Sequence, residues 1–324
     1  MKPLNILFTN TCPLIKYGMK SGFDNLGHRT YIMDDHYRLW DKDKEIQNEL
    51  FKQAIEEYSI DIVFTEPYAN MSEGIFKCTR EKGIFHVFWS IEDTPHDHWI
   101  GDYWSDFADY IFTTTAECLP NYWSKGKKAD LLLFACNPDY HMKTASIDSY
   151  RFDLIVVGNN YERRESKVKS FLQPLINNNI NMKVYGNEWW IDETRSFNLL
   201  KRPHIYGGYL AYEDMPAAYS SSKIAFGLNL DGDSYTQTSM RMYEILGCGG
   251  ALMLSYHTKA QELLFHDLVY LPKTPDEALL MTKEILSMTV KQRAAKANKA
   301  QKFVYKYHNY TNRASQVIDA YNGR

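Results

Sequence analysis

Short apolar runs recur along the chain at spacings that leave room for a helix between them. LNILFTN (4–10), HRTYIMD (28–34), DIVFTE (61–66), IFHVFWS (84–90), YIFTTT (110–115) and DLLLFA (130–135) are each bounded by polar residues. Runs rich in Ile, Val, Phe and Leu predict strands covered on both faces, the pattern of a parallel sheet built from βα units. Between the second and third runs, residues 43–58 place Leu50, Phe51, Ala54, Ile55 and Tyr58 on one side of a helix. Gly27 and Gly83 stand where helices are expected to stop.

After Pro138 the pattern loosens into the polar stretch DYHMKTASIDSYR and then restarts with DLIVVGNN (153–160). A second series follows: a helix over 162–178, the strand MKVYGNE (182–188), a short helix near 212–221, KIAFGLNL (223–230), a helix near 238–247, ALMLSY (251–256) and LVYLP (268–272). Thr274-Pro275-Asp276-Glu277 opens a further helix with an N-cap hydroxyl, a proline at the first position and a glutamate at the third. From about residue 288 the chain reads as helical, with Lys291, Arg293, Lys296, Lys299, Lys302 and Lys306 on a solvated face. The reading is therefore α/β, with two doubly wound domains, 1–145 and 146–305, and a final helix at 306–324 placed to pack back on the first. Ligands of such sheets bind at the carboxyl ends of the strands, which would face a cleft between the two domains.

Charge and composition narrow the function classes. With 40 Asp and Glu against 37 Lys and Arg, a net charge of -3, the chain lacks the basic excess of a general nucleic-acid binder. No apolar run reaches the roughly 18 residues that cross a bilayer, and Asn5 and Asn10 interrupt the opening segment, so a cytoplasmic protein without a membrane span is expected. Five widely spaced cysteines offer neither a disulfide framework nor a CxxC zinc site. The 15% aromatic content, with 24 Tyr and 7 Trp, suits either carbohydrate and nucleobase faces or the lining of a domain boundary.

The segment SYTQTSMRMYEILGCGG (234–250) is the richest in chemistry. Hydroxyls at Thr236, Thr238 and Ser239 can cap a helix whose free N–H groups and positive dipole end suit a diphosphate. Gln237, Arg241 and Glu244 fall at i, i+4 and i+7. Arg241 can pair with phosphate oxygens, and Glu244 can accept hydrogen bonds from two vicinal hydroxyls of a ribose. An Arg241–Glu244 surface pair that binds nothing is an equal alternative on spacing alone. Gly158-Asn159-Asn160 and Tyr185-Gly186-Asn187 follow strands, where small residues let a ligand approach the backbone, and residues 204–209, with Tyr206 and Gly207, are a third candidate, where a tyrosine ring can stack on a base; simply turning the chain is the better account of any one glycine and the poorer account of all three loops together.

The Arg241–Gly250 segment, KIAFGLNL before it, YHNYTNR (307–313), and VVGNN with Tyr185-Gly186 together resemble the CgeB spore maturation family. That family is in turn similar to GT-B glycosyltransferases, whose two Rossmann-like domains face a cleft. The resemblance is clearest over 153–320. It implies a metal-independent enzyme without a cofactor, using a nucleoside diphosphate sugar, with uridine as the base, and a hydroxyl acceptor; it also implies an association with the spore surface. In retaining members the glutamate matching Glu244 binds the ribose, but Thr236 stands where many carry a second glutamate. The loop YGMKSG (17–22), with Gly18 and Ser21, corresponds to a flexible loop facing the donor phosphates or the acceptor.

In WSIEDTPHDHW (89–99) a carboxylate at a strand end could take a proton from an acceptor hydroxyl, with Asp93 the preferred general base of an inverting reaction and Glu92 and His96 next. A metal site fits this spacing poorly. A plain polar loop, with Thr94-Pro95 starting a helix, is the simplest alternative. The expected activity is glycosyl transfer; a protein that binds nucleotide sugars without turning them over is the rival, and a sugar transferase acting on DNA would need a basic groove that the charge does not advertise.

Overall fold

In the computed structural model, which describes residues 2–33, 39–68, 70–161, 167–229 and 233–323, the chain forms two units. One comprises Met1–Leu133 with Asn309–Arg324, the other Phe134–His308. The division falls at the end of the sixth strand, earlier than the polar stretch where the hydropathy pattern breaks.

The first unit carries β1 (Asn5–Phe8), β2 (Arg29–Ile32), β3 (Ile62–Thr65), β4 (Phe85–Ser90), β5 (Tyr110–Thr113) and β6 (Ala129–Leu131), interleaved with α1 (Lys20–Asn25), α2 (Lys44–Tyr58), α3 (Glu73–Lys82), α4 (Trp99–Ser105) and α5 (Leu119–Ser124). The sheet order is β2-β1-β3-β4-β5-β6, and every pairing is parallel. The central strands are buried along their whole length, which is why they read as unbroken apolar runs. Ser72 caps α3 by accepting from the Gly74 N–H, and Gly83 ends it at φ 65°, a conformation that costs glycine little. Leu7, Phe51, Ile55, Val63, Ile75 and Phe88 pack as one core, each such side chain contributing about 1.5–3 kcal/mol when fully buried.

The second unit has β7 (Leu154–Val157), β8 (Met182–Tyr185), β9 (Ile224–Gly227) and β10 (Leu252–Ser255) in the parallel order β10-β9-β7-β8. Its helices are α6 (Val168–Asn177), α7 (Met215–Ser221), α8 (Met240–Cys248), α9 (Lys259–Phe265), α10 (Pro275–Ser287) and α11 (Val290–Tyr307). Thr274 caps α10 as its sequence implied, accepting from the Glu277 N–H. The first turn of the helix expected from 162 lies outside the described residues, as do Asp34 and Leu230 at the ends of two expected strands. The run at 268–272 is not a strand. It makes a single bridge, Tyr270 to Leu254, at the sheet edge beyond β10, with one further backbone hydrogen bond from the His257 N–H to the Pro272 carbonyl.

The final helix, α12 (Tyr310–Asn322), packs on α1 in the first unit. The backbones approach so closely that a Cβ on Gly22 would lie 2.2 Å from the Tyr310 carbonyl oxygen. Among the described residues, no helix is long and apolar enough to cross a membrane.

Candidate functional site

In the second unit the loop before α8 folds around Ser234, whose hydroxyl accepts from the backbone N–H groups of Thr236 (3.1 Å) and Gln237 (2.9 Å). Ser239 then caps α8, accepting from the Arg241 N–H at 3.3 Å. The Thr238 hydroxyl turns inward to the Tyr243 hydroxyl (3.3 Å). Gln237 therefore sits in the loop and not on the helix face shared by Arg241 and Glu244, a correction to the spacing argument: the helix begins at Met240. Thr236 and Ser239 are half-buried, Gln237 and Thr238 buried.

Asn229, after β9, was missed in the sequence. Its Oδ1 accepts from the Ser239 N–H at 3.1 Å, which fixes the amide's orientation, and its buried Nδ2 has no hydrogen-bond partner among the described residues. An unsatisfied donor beside a helix N-terminus is a costly feature that an anion would relieve.

Glu244 and Arg241 do pair, but not at the surface. Glu244 is fully buried; its Oε2 accepts from Arg241 Nη1 at 2.5 Å and its Oε1 from the Tyr212 hydroxyl at 2.5 Å. His141 completes the cluster. Its Nδ1 accepts from the Asn137 N–H (2.9 Å), so Nε2 carries the proton and points to the Tyr212 oxygen at 2.9 Å. Burial lowers the His141 pKa to about 4, keeping the ring neutral. Burial also opposes the charge on Glu244, but the Arg241 guanidinium, with smaller help from His141 and the Tyr212 hydroxyl, holds its pKa below the ordinary carboxylate value. Arg241 keeps 23% of its side chain exposed and lies over the Tyr212 ring at 5.6 Å. Its Nη1 is taken by Glu244 and Met215, while Nε and Nη2 have no acceptor among the described residues. The outward edge of a guanidinium anchored from behind is thus available to an anion beside the start of α8.

The three glycine loops come together at the carboxyl ends of β7 and β8. Asn187 N–H donates to Asn159 Oδ1 (3.1 Å), Trp190 Nε1 to the Gly158 carbonyl (2.7 Å), Gly186 N–H to Gly208 O (2.9 Å), and the Tyr206 hydroxyl to Gly186 O (3.1 Å). Gly186 and Gly207 open no space for a ligand: a Cβ on Gly186 would lie 2.1 Å from the Gly158 oxygen, and one on Gly207 would lie 2.4 Å from the ring of the buried Tyr185, while Gly208, at φ 80°, turns the chain. The loops are small because they pack on each other. Tyr161, 49% exposed, meets Trp189 edge-on at 5.5 Å and presents the aromatic surface next to Asn159.

In the first unit, Asp93 is fully buried. Its carboxylate accepts from the hydroxyls of Ser90 (2.7 Å), Thr113 (2.7 Å) and Tyr122 (2.6 Å), and its carbonyl from Thr115 (2.6 Å). Burial raises its pKa against the lowering effect of these hydroxyls. A carboxylate so enclosed ties β4 to β5 and α5 and is not open to an acceptor. Glu92 and His96 are exposed on the same loop, and Thr94 and Asp97 close it with reciprocal backbone hydrogen bonds (2.8 and 3.3 Å), so Thr94-Pro95 makes a turn and the helix waits until Trp99. Gly18 is likewise no part of a flexible loop. Residues 15–19 form a π-helical turn leading into α1, and Gly18 is buried beneath the Tyr310 ring, 2.6 Å from where its Cβ would be; Ser21 is half-buried in α1.

Residues 163–319 match the model of a family described as glycosyl transferase-like. No curated protein matches the sequence. Among solved structures, the chain resembles an α,α-trehalose-phosphate synthase (UDP-forming) from Burkholderia vietnamiensis, with TM-score 0.63 and 10% identity over 100% of both chains. It also resembles the E. coli trehalose-6-phosphate protein bound with UDP-2-fluoro glucose, with TM-score 0.60 and 10% identity over 98% of each chain. A third is the UDP-GlcNAc 2-epimerase from Neisseria meningitidis bound to UDP-GlcNAc, with TM-score 0.54 and 10% identity over 99% of this chain and 100% of that one. The chain has the GT-B fold.

One further buried carboxylate escaped the sequence reading. Glu66, just past β3, accepts from Asn10 Nδ2 at 2.5 Å and from the Cys12 thiol at 3.4 Å. Burial is the main cause that raises its pKa to about 7, with the nearby Glu92 adding to it. The signal was available only as a lone acid at a strand end, which looks the same whether it points in or out.

Proposed function

We propose that this protein transfers a glycosyl group from a nucleoside diphosphate sugar, with uridine as the base, to a hydroxyl acceptor. The observation that carries the proposal is Arg241: a guanidinium in the first turn of α8, fixed by the buried Glu244, whose Nε and Nη2 have no acceptor among the described residues. Resemblance in fold to proteins bound with UDP-sugars supports the choice of donor.

In this reading the acceptor oxygen bonds to the anomeric carbon as the bond from that carbon to the diphosphate oxygen breaks, and the electron pair leaves with the diphosphate. Charge grows on the diphosphate during this step, so donors already aimed at it stabilise the transition state more than the ground state. Glu244 anchors Arg241, and His141 and Tyr212 hold Glu244. The acceptor proton goes to an exposed base of the first unit, Glu92 or His96, and not to Asp93. The CgeB-like resemblance suggests an acceptor in the glycans of the spore surface.

A shift of the unfolding midpoint by UDP and UDP-sugars, and not by the corresponding purine nucleotides, tests the donor. Turnover in Arg241→Ala should drop by about 100-fold, the cost of losing one preorganised donor to a developing anion; normal turnover in that variant refutes the proposal. A second reading is a binder without transfer activity. The enclosure of Asp93 and the presence of Thr236 favour it, and it predicts UDP-sugar binding with no sugar released at any protein concentration.

A further inference from the structure

A pocket of about 510 Å³ opens wholly within the first unit, at the carboxyl ends of β3 and β4. That volume lies in the range of small-ligand sites, and parallel sheets bind ligands at this edge. Tyr68 follows β3, Glu92 follows β4, and Trp99, Tyr103 and Trp104 come from α4.

The aromatic side is exposed. Trp99 is 67% exposed and Tyr103 47%, and Trp99 stacks on no other ring among the described residues. Tyr103 is braced: Trp104, itself stacked on Phe76 (5.2 Å, 21°), meets it edge-on (5.0 Å, 87°), and its hydroxyl donates to the Glu73 carboxylate. A ring braced in this way loses little conformational freedom when a ligand settles on it.

The polar side has open valences. Glu92 and Lys44 have no hydrogen-bond or ion-pair partner among the described residues, and only one oxygen of Glu73 is used. A purely apolar ligand would desolvate these groups without return. A phosphate would meet two carboxylates and one lysine, a net negative surround. What remains is a neutral ligand with a ring of C–H groups for the aromatic faces and hydroxyls at its edge for the carboxylates and the ammonium.

We propose that this pocket binds the acceptor as a neutral, unphosphorylated sugar, with a pyranose face laid on Trp99 and Tyr103 and its hydroxyls hydrogen-bonded by Glu92, Glu73 and Lys44. The inference rests on the transferase reading for the word acceptor; the binding claim stands by itself.

The test is saturation-transfer NMR and tryptophan fluorescence on the full chain with methyl glucoside, N-acetylglucosamine, maltose, cellobiose and glucose 6-phosphate as probes, with UDP measured in parallel. At least one neutral sugar should bind at millimolar concentration, weaken about tenfold or more in Trp99→Ala and in Glu92→Gln, and bind better than glucose 6-phosphate. UDP affinity should be unchanged in both variants, which also shows that they are folded. No binding of any neutral probe, binding unaffected by Trp99→Ala, or preference for the phosphorylated sugar overturns the proposal. Sugar binding without UDP binding would instead overturn the donor reading and leave the pocket standing.

Discussion

In the first unit the interior carboxylates of Asp93 and Glu66 accept from hydroxyls, an amide and a thiol; in the second, Glu244 is equally buried but has an arginine against it. The two environments push the carboxyl pKa in opposite directions. Desolvation prevails for Asp93 and Glu66, while the guanidinium, helped by Tyr212 and His141, overcomes desolvation for Glu244. Hydroxyls and amides can solvate a buried carboxylate, but they do not balance its charge. A buried anion with a cation beside it stays charged and holds that cation in place, which suits a site for a second anion. A buried acid without one is a structural tie or a group poised to exchange a proton.

The sharpest way to break this contrast is to remove the cation. Arg241→Ala leaves Glu244 unpaired in the interior and should lower stability by about 3–5 kcal/mol in denaturant unfolding. A loss below about 1 kcal/mol would mean that Tyr212 and His141 suffice and that the arginine is not what distinguishes the two units.

Two pH-dependent effects of similar size and opposite sign come next. Glu66 takes up more protons folded than unfolded between its ordinary pKa of 4.5 and about 7, so its contribution to stability is greatest at low pH and is lost as pH rises through that window. Glu66→Gln should therefore gain on the natural protein with rising pH, by up to about 3 kcal/mol above pH 8. His141, neutral when folded with a pKa near 4, takes up more protons unfolded between pH 6.5 and 4, so stability should fall on acidification through that range. Unfolding curves of His141→Gln should lack this part of the pH slope; an unchanged slope would show that the ring is protonated, or exposed, in solution.

The smallest effect is expected at Asp93. In Asn the amide oxygen can accept from Thr113 and Tyr122 while the NH2 donates to Ser90, whose hydroxyl can rotate, so Asp93→Asn should cost about 1 kcal/mol and leave turnover nearly intact. A fall in turnover of about 100-fold with the fold preserved would restore Asp93 as the general base.

How far the sequence could be read follows from what each signal measures. The central strands were legible because parallel strands buried on both faces are mostly apolar, as IVFT at 62–65 and LIVV at 154–157 are, whereas β2 and β6 are partly exposed. The cap at Thr274 was legible because its hydrogen bond spans three residues. Arg241 and Glu244 were found together through helical spacing, but spacing gives the face and not what covers it, and Tyr212 and His141, which bury the pair, come from 32 and 103 residues away in the chain. WSIEDTPHDHW misled for the same reason: a polar stretch reads as solvated, and the donors that draw Asp93 inward stand on β5 and α5.

Alone, the sequence determined the periodic features: strands, helices, caps, near-neutral charge, and a helix start rich in hydroxyls with an arginine one turn in. Such patterns depend on interactions a few residues apart, which the order of residues records directly. Tertiary structure decided which acids are enclosed, which of them has a cation for company, that Gly18 lies under Tyr310, and that the aromatics of α4 gather beside Glu92 as a pocket. Those outcomes depend on groups distant in the chain excluding water together, and desolvation belongs to the assembled surroundings and not to any residue.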